Sequence, residues 1–304
     1  MKKIIFADLH NHTTASDGDF TSQNLVDLAQ SFDIKAIGIT DHDTVRGLKT
    51  AVDAGKKAGI EVVCGVEVSI RFKRRYFTGT LHLLCYFSSK HLNDKLFTDS
   101  ISDIIASGRG EKLVRARVAE INTFFGPNGK NAILKKDLAF DDIARFSDNA
   151  SRRHFALSLN QVHGITDPAV INQVIGNDSP AYLPSGIDMA QAKKLMNNKR
   201  IITALAHPAA GSFTGGGHYK EVLPPLEIVE QIFPEFIEAG MNGLEVYYPG
   251  HTLEHQDLML SWARKYNLLV TGGSDCHDST GRPFGVQGID RKEFEAFKAA
   301  LEQF

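Results

Sequence analysis

Nine side chains able to hold a divalent cation recur along the 304 residues: His10, His12, Asp17, His42, Glu67, His82, His207, Asp275 and His277. The first two stand at i and i+2 after the apolar run Ile4-Ile5-Phe6-Ala7-Asp8-Leu9. Residues two apart on an extended backbone point to the same side, so both imidazoles can reach one ion. Ser16-Asp17-Gly18 adds a carboxylate on a turn. Glu67 lies inside Val62-Val63-Cys64-Gly65-Val66-Glu67-Val68-Ser69, where a carboxylate is costly unless paired or metal-bound. One His-x-His is weak evidence, because imidazoles also serve as ordinary surface and turn residues. The weight comes from repetition, since one apolar strand after another ends in His, Asp or Glu. Nine such groups exceed what a single tetrahedral zinc site uses and suit two or three ions. A mixed imidazole and carboxylate set fits zinc, manganese or iron better than calcium or magnesium. Ions about 3.5–4 Å apart lower the pKa of a bridging water to about 7 and clamp the oxygens of a phosphoryl group in an in-line displacement. No Ser or Cys nucleophile is then required. Gly38-Ile39-Thr40-Asp41-His42 lacks the glycines of a nucleophile elbow. There is no Walker-type loop, and Gly215-Gly216-Gly217 does not follow a strand directly.

The elements that would position these groups follow a strand-then-helix rhythm. The first strand is the apolar run before His10. Thr21 to Phe32 has helical spacing, with Thr21 or Ser22 as N-cap. Ala36 to Thr40 is the second strand, and a helix runs from Thr44 to about Ala58, stopped by Gly59. Asp43 could cap that helix, and Asp41 could orient a ligand histidine from behind. Strands follow at Glu61–Ile70 and Thr80–Phe87, joined by the basic, hairpin-like stretch Arg71–Gly79, and His82 is embedded in the fourth strand. From 93 to 184 no strand ends in a ligand. This stretch reads as a helical insertion, with one or two helices over Ile101–Phe125 and short ones at Asp141–Ala144, Arg152–Val162 and Pro168–Ile175. The rhythm resumes with a helix over Asp188–Asn197, a strand over Arg200–Ala206 and the Gly-rich loop Gly211–His218. Helix Leu226–Ala239, strand Gly243–Tyr248, helix Leu253–Tyr266, strand Leu268–Gly273 and helix Arg291–Phe304 complete the chain. Seven strands alternating with helices imply parallel pairing. Closed into a barrel, they would gather the ligands at the C-terminal ends of the strands.

Composition bounds the rest. The formal net charge of -2 argues against a surface built to coat nucleic acid, so no stable duplex binding is expected. A local Arg cluster is still enough for a nucleotide. Cys64, Cys85 and Cys276 give no disulfide framework. Met1-Lys2-Lys3 leads straight into a strand, so no signal peptide is expected, and no apolar run approaches the length of a membrane span. A cytoplasmic, reduced protein is the expectation. Arg109, Lys112, Arg115 and Arg117 read as mostly a solvated helix face. Tyr247, Tyr248 and His251, after the sixth strand, could be rim residues or a stacking wall for a base.

Asp8-Leu9-His10-Asn11-His12, Ser16-Asp17-Gly18, Thr40-Asp41-His42-Asp43-Thr44, Gly65-Val66-Glu67-Val68-Ser69, Ala206-His207-Pro208 and Ser274-Asp275-Cys276-His277 together resemble the polymerase-and-histidinol-phosphatase (PHP) family of metal-dependent phosphoesterases. The resemblance implies an α/β fold, a distorted seven-stranded TIM-like barrel over 1–92 and 185–304, with a substrate-capping helical insertion over 93–184. It also implies two or three divalent ions, Mn²⁺, Zn²⁺ or Fe²⁺. His10, His12, Glu67 and Asp275 would hold one. Glu67 would bridge to a second, shared with His82 and His207, and Asp17, His42 and His277 would hold the third. Of these, Asp17, His42, Glu67 and His207 are expected to act on the reacting phosphate. The arrangement is most similar to the branch that removes the 3′-phosphate of nucleoside 3′,5′-bisphosphates and trims short oligoribonucleotides. In that branch an Arg-Pro-His motif of the insertion reaches substrate phosphate. Here Arg152-Arg153-His154 stands in its place, with Arg153 for the proline. Arg152 and His154 are therefore expected substrate contacts, with Arg115 or Arg117 as a second phosphate contact and His251 at the rim. A small phosphorylated partner, a nucleotide above all, follows. Histidinol phosphate or another small phosphomonoester is the alternative substrate. A metal-dependent amidohydrolase also begins with His-x-His, but many bridge their metals with a Lys on strand four, where this chain has His82. A non-catalytic metal-binding module would be expected to have lost ligands.

Overall fold

The computed structural model describes residues 4–148, 150–215 and 223–303. Seven strands form one sheet in sequential order: β1 (Ala7–Asp8), β2 (Ala36–Ile39), β3 (Glu61–Lys73), β4 (Thr78–Phe87), β5 (Ile202–Leu205), β6 (Gly243–Tyr247) and β7 (Leu269–Gly272). The sheet curls until its edges meet. Leu9 N–H donates to Gly272 O at 3.0 Å, His12 N–H donates to Cys276 O at 2.9 Å, and Asn11 and Cys276 form a parallel bridge. Close approach at this seam needs glycine on both sides of β1. A Cβ on Gly38 would stand 2.1 Å from Leu9 O, and one on Gly273 would stand 2.3 Å from His10 N.

Two expectations about the strands are corrected. The pairing is not all parallel: β4 runs antiparallel to both β3 and β5. The reason is the short link Arg74–Phe77, closed by Arg74 N–H to Phe77 O at 2.7 Å. Only a hairpin, and no parallel crossover, fits so short a connection. The second correction is to β1, which is only two residues long, and Ile4 is 84% exposed. His10 and His12 lie past its end, on the segment that forms the seam.

Helices α1 (Ser22–Ser31) and α2 (Leu48–Ala58) follow β1 and β2. Thr21 caps α1, accepting from Asn24 N–H, and Gly59 ends α2 at φ 71°. Asp43 does not cap α2, which starts later than the sequence suggested. Between β4 and β5 the described residues form helices and no strand: α3 (Lys95–Ala106), α4 (Glu111–Phe125), α5 (Phe140–Ala144), α6 (Arg152–Gln161), α7 (Pro168–Ile175) and α8 (Met189–Met196). Helix α3 buries Phe97, Ile101 and Ile105 in the main core. By contrast α4 to α7 build a core of their own around Val118, Ile121, Phe125, Phe155, Leu159 and Val174. Among the described residues the remaining α-helices are α9 (Leu226–Glu238), α10 (Leu253–Tyr266) and α11 (Arg291–Glu302). Residues 216–218 of the Gly-rich loop lie outside the described residues, as do 219–222 and Phe304.

Side chains alternate along the strands and divide into two clusters. Val63, Leu84, Tyr86, Ile202 and Ala204 pack with Phe294 and Phe297 of α11. Cys64, Val66, Leu83, Cys85 and Leu205 pack with the outer helices. Parity then gives Glu67 the face of Val63, and His82 the face of Leu84 and Tyr86.

Candidate metal centre and substrate pocket

Glu67 is the hub of the site. It is fully buried on the longest strand. Its Oε2 lies 3.3 Å from His10 Nε2, 3.1 Å from His12 Nε2 and 3.1 Å from His42 Nδ1. Its Oε1 lies 3.0 Å from His82 Nδ1 and 3.0 Å from His207 Nε2. One carboxylate thus faces two sets of imidazoles, one with each oxygen. Asp275 Oδ1 closes the first set, 3.1 Å from His12 Nε2 and 3.4 Å from His10 Nε2. Beyond it Asp17 Oδ1 is 3.4 Å from His277 Nε2 and 3.9 Å from His12 Nδ1. Three groups have ligand atoms close enough to share an ion: His10, His12, Glu67 and Asp275; His12, Asp17, His42 and His277; and His42, Glu67 and His82. All nine sequence candidates therefore lie in one cluster.

The spacing fits bound cations. Ligand atoms held at about 2.1 Å from one ion in tetrahedral geometry stand about 3.4 Å apart, and His10 and His12 lie 3.1 to 3.4 Å from each other and from the Glu67 and Asp275 oxygens. His12 Nδ1, Asp17 Oδ1 and Glu67 Oε2 are buried with no hydrogen-bond partner among the described residues, which such groups tolerate badly without a cation. Burial alone would raise the pKa of Glu67, but His42, His10 and His82 outweigh it and hold the carboxyl well below its ordinary range. Burial opposes charge on His10 too, yet Glu245, Glu67 and Asp275 push its pKa well above normal. The cluster is rich in buried carboxylates and attracts positive charge.

Supporting groups fix the imidazoles. Glu245 of β6 is fully buried, accepts from His10 Nδ1 at 3.0 Å and from the His207 N–H at 2.7 Å. A carboxylate only accepts, so His10 carries its proton on Nδ1 and turns the Nε2 lone pair to the cluster. His277 Nδ1 likewise donates to Asp275 O at 2.9 Å. Asp8 accepts from Ser274 N–H at 2.9 Å and ties β1 to the last ligand loop; its carboxyl is raised to about 6, chiefly by burial. Asp43, His207 and Asp275 have left-handed backbone, with φ of 49°, 32° and 50°. Strain of this kind concentrates at functional sites.

Asp41 does not orient a histidine. Its carboxylate accepts from Thr13 N–H at 2.7 Å, Thr13 Oγ1 at 2.8 Å and Ser16 Oγ at 2.6 Å, pinning the loop that carries Asp17. Asp43 accepts from Ser69 N–H at 2.9 Å and from Arg109 Nε.

A cavity of about 510 Å³ opens beside the cluster, lined by Asp17, His42, Glu67, His82, His207, Asp275 and His277 on one side. Arg109, Arg117, Arg152, Arg153 and Arg282 also line it, with Pro168, Ile171 and Ile175 as an apolar wall. Its size suits a small-molecule ligand. Arg152 donates to Asn172 Oδ1. Arg117 donates to Leu183 O at 2.9 and 2.6 Å, and burial, then Arg109, lower its pKa to about 10. Of the expected substrate contacts, Arg117 and Arg152 line the cavity and three residues do not. Arg115 is an exposed partner of Glu111, one helical turn away. His154 turns inward, accepting from Ser151 N–H at 2.9 Å to cap its own helix. His251 is buried, donates from Nδ1 to Val246 O at 2.8 Å and accepts from Ala209 N–H at 3.2 Å. It braces the His207 segment against β6, and burial lowers its pKa to about 3. Of the two tyrosines, Tyr248 lines the cavity and Tyr247 does not. Tyr248 OH donates to Asp275 Oδ2 at 3.1 Å, and Tyr247 OH donates to Glu293 of α11 at 2.7 Å. Nor is the Arg109–Arg117 stretch wholly solvated, since Arg109 is buried against Asp43.

Glu245 and Arg282 were missed in the sequence. Glu245 carries the same signal as Glu67, a carboxylate inside the apolar run Gly243-Leu244-Glu245-Val246-Tyr247. Arg282 follows a loop that gave no signal.

Known proteins place this arrangement. Residues 8–105 match the PHP domain. The chain is 26% identical over 281 residues to a 5′-3′ exoribonuclease of Haemophilus influenzae, covering 90% of each. It is 25% identical over 289 residues to a phosphoribosyl 1,2-cyclic phosphate 1,2-diphosphodiesterase of Eggerthella lenta, covering 90% of the chain and 95% of that protein. It is 27% identical over 279 residues to a 3′,5′-nucleoside bisphosphate phosphatase of Chromobacterium violaceum, covering 89% and 86%. The fold matches a Bifidobacterium adolescentis crystal structure, described as that of a metal-dependent phosphoesterase, with a TM-score of 0.72 at 22% identity, over 97% of this chain and 96% of that one. Motifs, barrel and relatives agree: residues 8–105 carry a PHP domain, and over most of its length the chain is similar to hydrolases of phosphoester bonds.

Proposed function

We propose that this protein hydrolyses a phosphomonoester of a nucleotide-like substrate, the 3′-phosphate of a nucleoside 3′,5′-bisphosphate above all, and that α4 to α7 cap the substrate. One observation carries the reading: a cavity that has the His and carboxylate cluster on one side also has Arg117 and Arg152 in its lining, together with an apolar wall. Guanidinium groups match phosphate oxygens, and the wall of Pro168, Ile171 and Ile175 suits an apolar or aromatic group between two anionic ends. His10, His12, Glu67 and Asp275 would hold one ion, His82 and His207 a second shared with Glu67, and Asp17, His42 and His277 a third, with Mn²⁺, Zn²⁺ or Fe²⁺ suited to the donors. When bound, such ions activate water and polarise the phosphoryl oxygens. The protein's own part is positional. Glu245 aims His10, Asp41 pins the Asp17 loop, and Arg152 holds a remote phosphate so that the scissile one meets the cluster.

The test compares kcat/KM for a nucleoside 3′,5′-bisphosphate and a mononucleotide in wild type and Arg152→Ala. A hydrogen bond to a charged group contributes about 1.5–3 kcal/mol, so the bisphosphate should lose roughly 10- to 150-fold and the mononucleotide little. Equal losses on both, or none on either, would remove Arg152 from substrate selection.

A further inference from the structure

Arg282 stands apart from the other cavity arginines because it contacts the cluster itself. Its Nη1 donates to Asp275 Oδ2 at 3.1 Å and lies 3.2 and 3.4 Å from the two ring nitrogens of His277. His277 Nδ1 already donates to a carbonyl, so the guanidinium packs against this ring and donates no hydrogen bond to that nitrogen. The side chain is only 19% exposed, and it lines the cavity. Its position is built in. Asp278 Oδ1 accepts from the N–H groups of Thr280 at 2.9 Å, Gly281 at 2.5 Å and Arg282 at 3.2 Å, folding the loop into a tight turn. The Arg282 carbonyl accepts in return from His277 N–H at 3.0 Å. A long side chain is thus held at one place, beside the carboxylate that faces His10 and His12 with its other oxygen.

Orienting Asp275 does not need Arg282, because Tyr248 OH already donates to the same Oδ2 at 3.1 Å. A fixed positive charge beside a phosphoryl-binding cluster has a second use. In phosphoryl transfer, negative charge spreads over the oxygens of the group in flight, and a preorganised guanidinium stabilises it.

We propose that Arg282 is a catalytic residue that contacts a non-bridging oxygen of the scissile phosphoryl group. The inference rests on the phosphoesterase reading above. In the step, the oxygen of water bonds to phosphorus and the bond from phosphorus to the ester oxygen breaks. The electron pair leaves on the alcohol oxygen, which takes up the proton that water releases. Arg282 exchanges no proton and only holds the phosphoryl oxygen.

The experiment uses the full chain reloaded with Mn²⁺, as wild type, Arg282→Ala and Arg282→Lys. Three readouts are taken: phosphate release from a mononucleotide, bound metal per chain, and the affinity for orthovanadate, a mimic of the transferred group. The expected result for Arg282→Ala is a fall in kcat of about 100-fold or more, with metal content unchanged and vanadate binding weakened. Added guanidinium ion should recover part of the rate. Arg282→Lys should stay well below wild type, because an ammonium is a point charge without the fork. Loss of metal in proportion to activity would overturn the proposal, leaving Arg282 as a support for Asp275. Undiminished kcat and vanadate affinity in Arg282→Ala, beside a wild type that releases phosphate, would also overturn it. A folded, metal-loaded wild type with no chelator-sensitive release would remove the phosphoesterase reading and this inference together.

Discussion

At the scale of single residues, the site was legible wherever its signal was local. His10 and His12 announce themselves by spacing, and Glu67 by a charge inside an apolar strand. Glu245 carries that same signal and was passed over, because no neighbouring motif drew attention to it. Its partners, His10 and the backbone of His207, are distant in sequence. His154 shows the opposite failure: it reads as a phosphate contact beside two arginines, yet its ring is consumed by the cap of its own helix. A short motif does not state which way a side chain turns. Glu245→Ala should keep the fold but leave the ring of His10 unanchored. Residues that orient ligands are worth about 10- to 100-fold in metal affinity, so competition with a graded chelator should show a loss of that size. Unchanged metal affinity would mean that His10 needs no anchor.

At the scale of elements, the strands were readable and their direction was not. The hairpin-like stretch after β3 was visible, but alternation of strands and helices suggested parallel pairing throughout. The link closed by Arg74 and Phe77 is too short for that, and it reverses β4. Glu67 and His82 both lie inside the strands of this hairpin, while the ligands of the other strands follow the strand ends. The seam between β1 and β7 was equally hidden, because β1 is two residues long and joins β7 through single bridges. Packing here depends on Gly38 as much as on any apolar side chain. Gly38→Ala would push a methyl against the Leu9 carbonyl, which lies 2.1 Å from where a Cβ would be. Overpacking of this kind costs about 1–3 kcal/mol or more. A clear drop in the midpoint of urea unfolding is expected, and an unchanged midpoint would mean that β1 is not held as described.

At the scale of the whole molecule, one barrel end is packed with Phe294 and Phe297 of α11, and the cluster of nine ligand groups opens into the cavity that α6 and α7 help to line. The helical stretch between β4 and β5 was legible as an interruption of rhythm. That α3 joins the barrel core while α4 to α7 make a core of their own was not, since it depends on tertiary contacts. Among the described residues no helix is long and apolar enough to cross a membrane. On the proposed reading, the chemistry depends on cations held by imidazoles and carboxylates and requires no serine or cysteine nucleophile. The three cysteines are buried, and burial raises the pKa of each thiol. The most direct measurement is phosphate release from a nucleoside 3′,5′-bisphosphate by protein stripped with a chelator and then titrated with Mn²⁺, Zn²⁺ or Fe²⁺, with bound metal counted alongside. The account predicts no turnover in the stripped protein and recovery that rises with metal occupancy to two or three ions per chain. Full phosphatase activity in protein proven free of metal would contradict it.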